Sequence, residues 1–153
     1  MLCIPKSKSQ FILIVQRKCS MNIFITGGTG FIGSAVTQEL IQAGHKVVGL
    51  SRSIDSDKKL TDLGATPIRG ELKDLDIITK EAKQADGVIH LAFVHNFADF
   101  ENSVKLDAQV IQTIGQALVN TNKAFVVTKA VFQSHTVVSQ PKILLGMSLN
   151  SHD

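Results

Sequence analysis

The run Met21-Asn-Ile-Phe-Ile-Thr-Gly-Gly-Thr-Gly-Phe-Ile-Gly33 restricts this chain to few folds. Ile23, Phe24 and Ile25 are consecutive bulky apolar residues, as in a strand buried on both faces. The run stops at Thr26-Gly27. From Phe31 a helical period begins, in which Ile32, Val36 and Leu40 share one face. Gly27, Gly30 and Gly33 fall in the turn and the first helical turn. Strand, glycine turn and helix together give a G-x-x-G-x-x-G match its meaning. Gly27 permits the tight turn, Gly30 lets a pyrophosphate approach the backbone, and Gly33 lets the helix pack close to its strand. N–H groups at the helix start then face the pyrophosphate. The competing reading, an ordinary strand-to-helix turn rich in glycine, is the poorer fit to that context.

Downstream, strands and helices alternate. Residues 46–50 form a second strand, after Gly44 ends the first helix. A carboxylate at the end of this strand would bind the adenosine ribose of NAD. The chain has Leu50-Ser51-Arg52-Ser53 instead. Arg52 is suited to pair with a 2′-phosphate and stack on adenine, with Ser51 and Ser53 as further donors. The alternative is a solvated loop arginine. NADP is therefore favoured over NAD. Asp55 or Ser56 caps a short helix that buries Leu60 and Leu63 and stops at Gly64. Residues 65–69 make the third strand. Asp74 caps a helix with Leu75, Ile78, Ala82 and Ala85 on one face. Residues 87–91 make the fourth strand, where His90 reads as a satisfied core histidine rather than a base. His95 either lines a substrate pocket or is exposed. Residues 101–120 form a long helix with a stripe of Val104, Ala108, Ile111, Ile114 and Leu118, and residues 124–128 the fifth strand. Right-handed crossovers make this a three-layer, doubly wound α/β fold with a parallel sheet ordered 3-2-1-4-5. The cofactor lies across the switch point between strands one and four.

Residues 21–128 resemble the short-chain dehydrogenase/reductase superfamily, most closely its NAD-dependent epimerase/dehydratase-like branch. There, Thr-Gly-x-x-Gly-x-x-Gly opens a Rossmann fold. The resemblance implies a cofactor site made of Thr26, Gly27, Gly30, Phe31, Ile32 and Gly33 at the pyrophosphate, with Ser51 and Arg52 at the adenosine ribose. Relatives usually show Gly-Asp-Leu after the third strand, with the acid and the next N–H at the adenine edge. Here the residues are Gly70-Glu71-Leu72, which keep the carboxylate and add a methylene. Leu91 and Ala92 would lie beneath the ribose and nicotinamide, and Thr128 at the end of the fifth strand completes the set. In many relatives the helix matching residues 101–120 also supplies a dimer face. Packing on the sheet alone needs only its stripe.

Beyond Thr128 the resemblance stops. The family would continue with a catalytic loop and a carboxyl-terminal substrate lobe, and nothing in residues 129–153 matches these. Ser134 and Ser139 have no recognisable base partner. The chain also contains no tyrosine. The superfamily's Tyr-x-x-x-Lys pair, which moves the proton, therefore has no counterpart here. The expectation is a Rossmann half with a divergent tail, truncated and inactive, as a read-through or splice variant would give.

A chain of 153 residues suits one domain, and a net charge of +3 from dispersed basic residues does not suggest nucleic-acid binding. No apolar run is long enough to span a membrane. Residues 1–20 contain no acid, and their apolar run, 11–15, is too short for a secretory signal. They read as an extension outside the fold, since Met21 sits where the fold begins, or as a mitochondrial transit peptide. Cytoplasm is the expected compartment and mitochondria the alternative. Cys3 and Cys19 show no metal-ligand spacing; they read as reduced thiols, with a bridge between them left open. Three functions compete: an NADP-dependent oxidoreductase or epimerase, a non-catalytic NADP(H)-binding sensor or interaction module, and a product with no folded function.

Overall fold

The computed structural model describes residues 20–93 and 99–128. Expectations for the first nineteen residues, for His95 and for residues 129–153 lie outside these. The elements run β1 (Asn22–Thr26), α1 (Phe31–Gln42), β2 (Lys46–Ser51), α2 (Ile54–Asp62) and β3 (Thr66–Arg69). They continue as α3 (Leu75–Gln84), β4 (Gly87–His90), α4 (Phe100–Leu118) and β5 (Ala124–Val127). Every strand pair is parallel and the sheet is ordered β3-β2-β1-β4-β5, as the alternation of elements requires.

Strand alternation divides the core in two. Phe24, Leu50 and Val88 point to one face, where α3 and α4 supply Ile78, Ala82, Val110 and Ile114. Ile25 and Val47 point to the other, against Leu60 of α2 and the half-buried Val36 and Leu40 of α1. Gly44 and Gly64, one residue past the caps of α1 and α2, both have φ of +89°. That left-handed turn suits glycine and reverses the chain towards the next strand.

Four local expectations are corrected. Ile32 is 61% exposed, because the first turn of α1 overhangs the sheet's end, so the buried stripe begins at Gly33 and Val36. The cap of α2 is Ser53, whose Oγ accepts the Ser56 N–H at 3.2 Å, and Leu63 is only half-buried at the helix end. Asp74 occupies the N-cap position of α3 but turns its carboxylate back to accept the Glu71 N–H at 2.8 Å. On α4 the buried line is Ser103, Val110, Ile114 and Leu118, leaving Val104 and Ala108 exposed. The helix is turned so that Asp107 reaches the sheet. At β5, the edge of the sheet among the described residues, Val126 is 51% exposed.

Candidate cofactor site

The carboxyl ends of β1, β2, β3 and β4 open into a cleft of about 680 Å³ at the switch point between β1 and β4. Its floor is the glycine turn. Gly27 has φ of +76°, and a Cβ there would come within 2.6 Å of Ala92 N. A Cβ on Gly33 would lie 1.9 Å from Gly27 O. Both positions are glycine because the backbone leaves no room. Gly30 differs. Its N–H donates to Gly27 O at 3.0 Å, and a Cβ would meet only that same oxygen, at 3.3 Å.

Gly30 is also the N-cap of α1 and offers no side-chain cap, and the first turn carries no acid. The N–H groups of Phe31, Ile32 and Gly33 thus have no intrahelical partner and mark the positive end of the helix dipole. Phe31, 98% exposed, and Ile32 stand at the cleft's rim.

The adenosine side is built from the ends of β2 and β3. Leu50 and Gly70 form its wall, and Arg52, Glu71 and Leu72 line it. Among the described residues no carboxylate pairs with Arg52, whereas the neighbouring Arg69 is held by Asp57. The Ser51 hydroxyl donates to Ser53 O, and the Ser53 hydroxyl is spent on the α2 cap and on Ser56. Neither is among the residues that line the cleft. Ser56 and Lys73, which the sequence reading did not include, line the cleft instead. Lys73 lies 2.8 Å from the Glu71 carboxylate. The hydrogen bond and charge of Glu71 hold its ammonium above the ordinary lysine value.

On the other side Leu91, Ala92, Phe93 and Leu106 make an apolar wall. Thr26 lies behind the turn with no exposed surface, and Thr128, exposed, donates its N–H to His90 O at 3.1 Å. Neither lines the cleft. Phe93 and Leu106 were not identified from sequence; Leu106 comes from a helix whose rotation local periodicity did not fix. Among the described residues, no three His, Cys, Asp or Glu side chains are placed to hold a metal ion. No helix there is long and apolar enough to cross a membrane.

Comparison with known proteins agrees with this fold. The uncharacterized protein C2A9.02 of Schizosaccharomyces pombe is 49% identical over 108 residues, covering 71% of this chain and 37% of that protein. The sterol-4-alpha-carboxylate 3-dehydrogenase of Dictyostelium discoideum is 48% identical over 71 residues, covering 46% of this chain and 22% of the enzyme. The crystal structure of Bordetella bronchiseptica WbmH in complex with NAD+ superimposes with a TM-score of 0.54 at 28% identity. That match covers 65% of this chain and 35% of WbmH. The matched part thus spans between about a fifth and a little over a third of the length of these proteins. The model of the NAD dependent epimerase/dehydratase family matches residues 23–137, and the chain belongs to that family.

Proposed function

We propose that the cleft binds a dinucleotide, NADP in preference to NAD, as the cofactor half of an oxidoreductase or epimerase. Gly30 carries this reading. The fold demands glycine at 27 and 33, whereas at 30 a Cβ would meet Gly27 O at 3.3 Å, a tight contact that a shift of a few tenths of an ångström would relieve. A pyrophosphate lying on the first turn of α1 accounts for that glycine. The N–H groups of Phe31, Ile32 and Gly33 would hold the phosphates. Glu71 and Leu72 would meet the adenine, and Leu91 and Ala92 would lie under the ribose and nicotinamide. The guanidinium of Arg52, with no carboxylate partner among the described residues and with Ser56 and Lys73 also lining the cleft, supports the preference for a 2′-phosphate. When bound, the cofactor would supply hydride transfer; the protein would bind, orient and exclude water.

These 153 residues contain no tyrosine, so the family's usual proton-transfer pair is not among them. We therefore expect them to bind cofactor without turning it over. That observation also favours a second reading, a non-catalytic NADP(H)-binding module. Calorimetry with NADPH and NADH, followed by a nicotinamide absorbance assay across carbonyl, alcohol and nucleotide-sugar substrates, tests both parts. Tighter NADPH binding with no turnover is expected. Equal affinities would remove the NADP preference, and measurable turnover would reveal a proton donor other than tyrosine.

A further inference from the structure

A second cavity, of about 190 Å³, lies between β1, β2 and the last turns of α3. Asn22, Phe24 and Val48 line it from the strands, and Glu81, Gln84 and Ala85 from the helix. Glu81 is only 9% exposed. Among the described residues its carboxylate has no ion-pair or hydrogen-bond partner. Its own helix supplies none, because the residues three and four positions away are Ile77, Ile78, Gln84 and Ala85. Lys46, two residues before Val48, shares a face of β2 with it, yet is exposed, forms no ion pair and does not line the cavity. Lys123 donates to Lys83 O at 2.6 Å.

A carboxylate drawn this far out of water is costly unless a cation or several donors meet it. The oxygens of Glu81 are not sealed in: among the described residues, Asp57 Oδ1 is the fully enclosed side-chain oxygen that lacks a partner. The Glu81 carboxylate therefore opens into the cavity. Phe24 and Val48 make an apolar wall beside it, which suits the methylene stem of a lysine or arginine whose charged end reaches the acid.

The chain itself brings cations to this place. It enters β1 at Asn22, one of the cavity's own residues, whose N–H donates to Asp86 Oδ2 at 2.8 Å just past the end of α3. Lys18 and Arg17 precede Asn22 by four and five residues, so their Cα atoms lie within about 14 and 18 Å of it. Residues 1–20 hold Lys6, Lys8, Arg17 and Lys18 and no acid, so these cations have no carboxylate within their own segment. We propose that the Glu81 cavity anchors the amino-terminal segment, with Arg17-Lys18 supplying the cation that enters it and pairs with Glu81. The inference is independent of what the cofactor cleft binds.

Trypsin tests this directly, because it must take a free lysine or arginine side chain into its own pocket. Cleavage after Lys6, Lys8, Arg17 and Lys18 is followed by mass spectrometry in the full chain and in a synthetic peptide of residues 1–24, with thiols kept reduced. The bonds after Lys6 and Lys8 should be cut within about twofold of their rates in the peptide. Those after Arg17 and Lys18 should be cut about tenfold or more slowly, since cleavage follows the population of the released form. Glu81→Gln removes the charge at nearly the same volume, and Glu81→Met replaces the acid with an apolar side chain suited to the Phe24 and Val48 wall; both residues are good helix formers. Each variant, its fold checked by far-UV circular dichroism, should be cut after Arg17 and Lys18 as fast as the peptide. Bonds within residues 21–128 should stay as resistant as in the parent, which separates release of the segment from general loosening. Cleavage after Arg17 and Lys18 at the peptide's rate in the parent would overturn the proposal. Protection that persists unchanged in a folded Glu81 variant would also overturn it, because the segment would then be held by something other than this carboxylate.

Discussion

Ile23-Phe24-Ile25 in β1 and Phe125-Val126-Val127 in β5 are runs of the same chemical kind. Phe24 and Ile25 have no exposed surface, while Val126 is 51% exposed and Phe125 only half-buried. Among the described residues β1 pairs with strands on both sides, and β5 pairs only with β4. An apolar run makes a strand fit for burial, but its place in the sheet decides whether both faces are covered. The glycine turn follows directly from β1, so the most firmly held strand aims the candidate site. Among the described residues the edge strand meets the sheet through β4.

The turn itself gives the largest effects that would break this contrast. Gly33→Ala would drive a methyl group into Gly27 O, which is backbone and cannot step aside; about 3 kcal/mol or more of stability should be lost. Gly30→Val meets far less, so it should fold with about 1 kcal/mol of loss yet no longer bind dinucleotide. Urea unfolding read by circular dichroism, alongside calorimetry, separates the two. A Gly30→Val chain that binds normally would make the turn purely structural.

Next come the strands. Phe24→Ala should cost about 3–5 kcal/mol, as expected for a fully enclosed aromatic side chain. Phe125→Ala, at the half-covered edge, should cost less than about 2 kcal/mol. Equal costs in urea unfolding would mean that the two strands are held alike in solution.

Arg52→Ala tests the cleft without touching either strand. The side chain is exposed, so a charge-assisted contact there is partly screened, and NADPH affinity should fall about tenfold. NADH affinity should change little. An equal loss for both cofactors would place Arg52 against the adenine or pyrophosphate rather than a 2′-phosphate.

Strand order and helix placement were legible because each boundary carries its own local signal: Gly44 and Gly64 after helices, and the glycine turn after β1. The glycines of the site were legible for the same reason. The rotation of α4 was not. Its surface holds two overlapping apolar lines, Val104–Ala108–Ile111 and Val110–Ile114–Leu118. The second line is the one buried in the core, and with it Asp107 reaches His90, seventeen positions earlier in the chain. Periodicity cannot register a polar residue drawn inward by a distant partner. Ser56 and Lys73 escaped for a related reason, since only the assembled sheet brings the loops after β2 and β3 to one cleft. The cap of α2 was misplaced by local crowding. Ser53, Asp55 and Ser56 are all competent acceptors, and a shift of two or three residues in the helix start selects among them.

The smallest expected effect is at the edge. Val126 points away from α3 and α4 and keeps half of its surface exposed. Val126→Lys should therefore change stability by no more than about 0.5 kcal/mol, as exposed substitutions usually do. Its influence should appear in association. A half-covered apolar strand at a sheet edge is a template for pairing with another chain, and a lysine there opposes such pairing by charge and desolvation. The parent chain should show concentration-dependent self-association in sedimentation velocity, and Val126→Lys should reduce it. A loss of more than about 1 kcal/mol in urea unfolding would mean that this face is covered in solution, and β5 would then be as fully enclosed as β1.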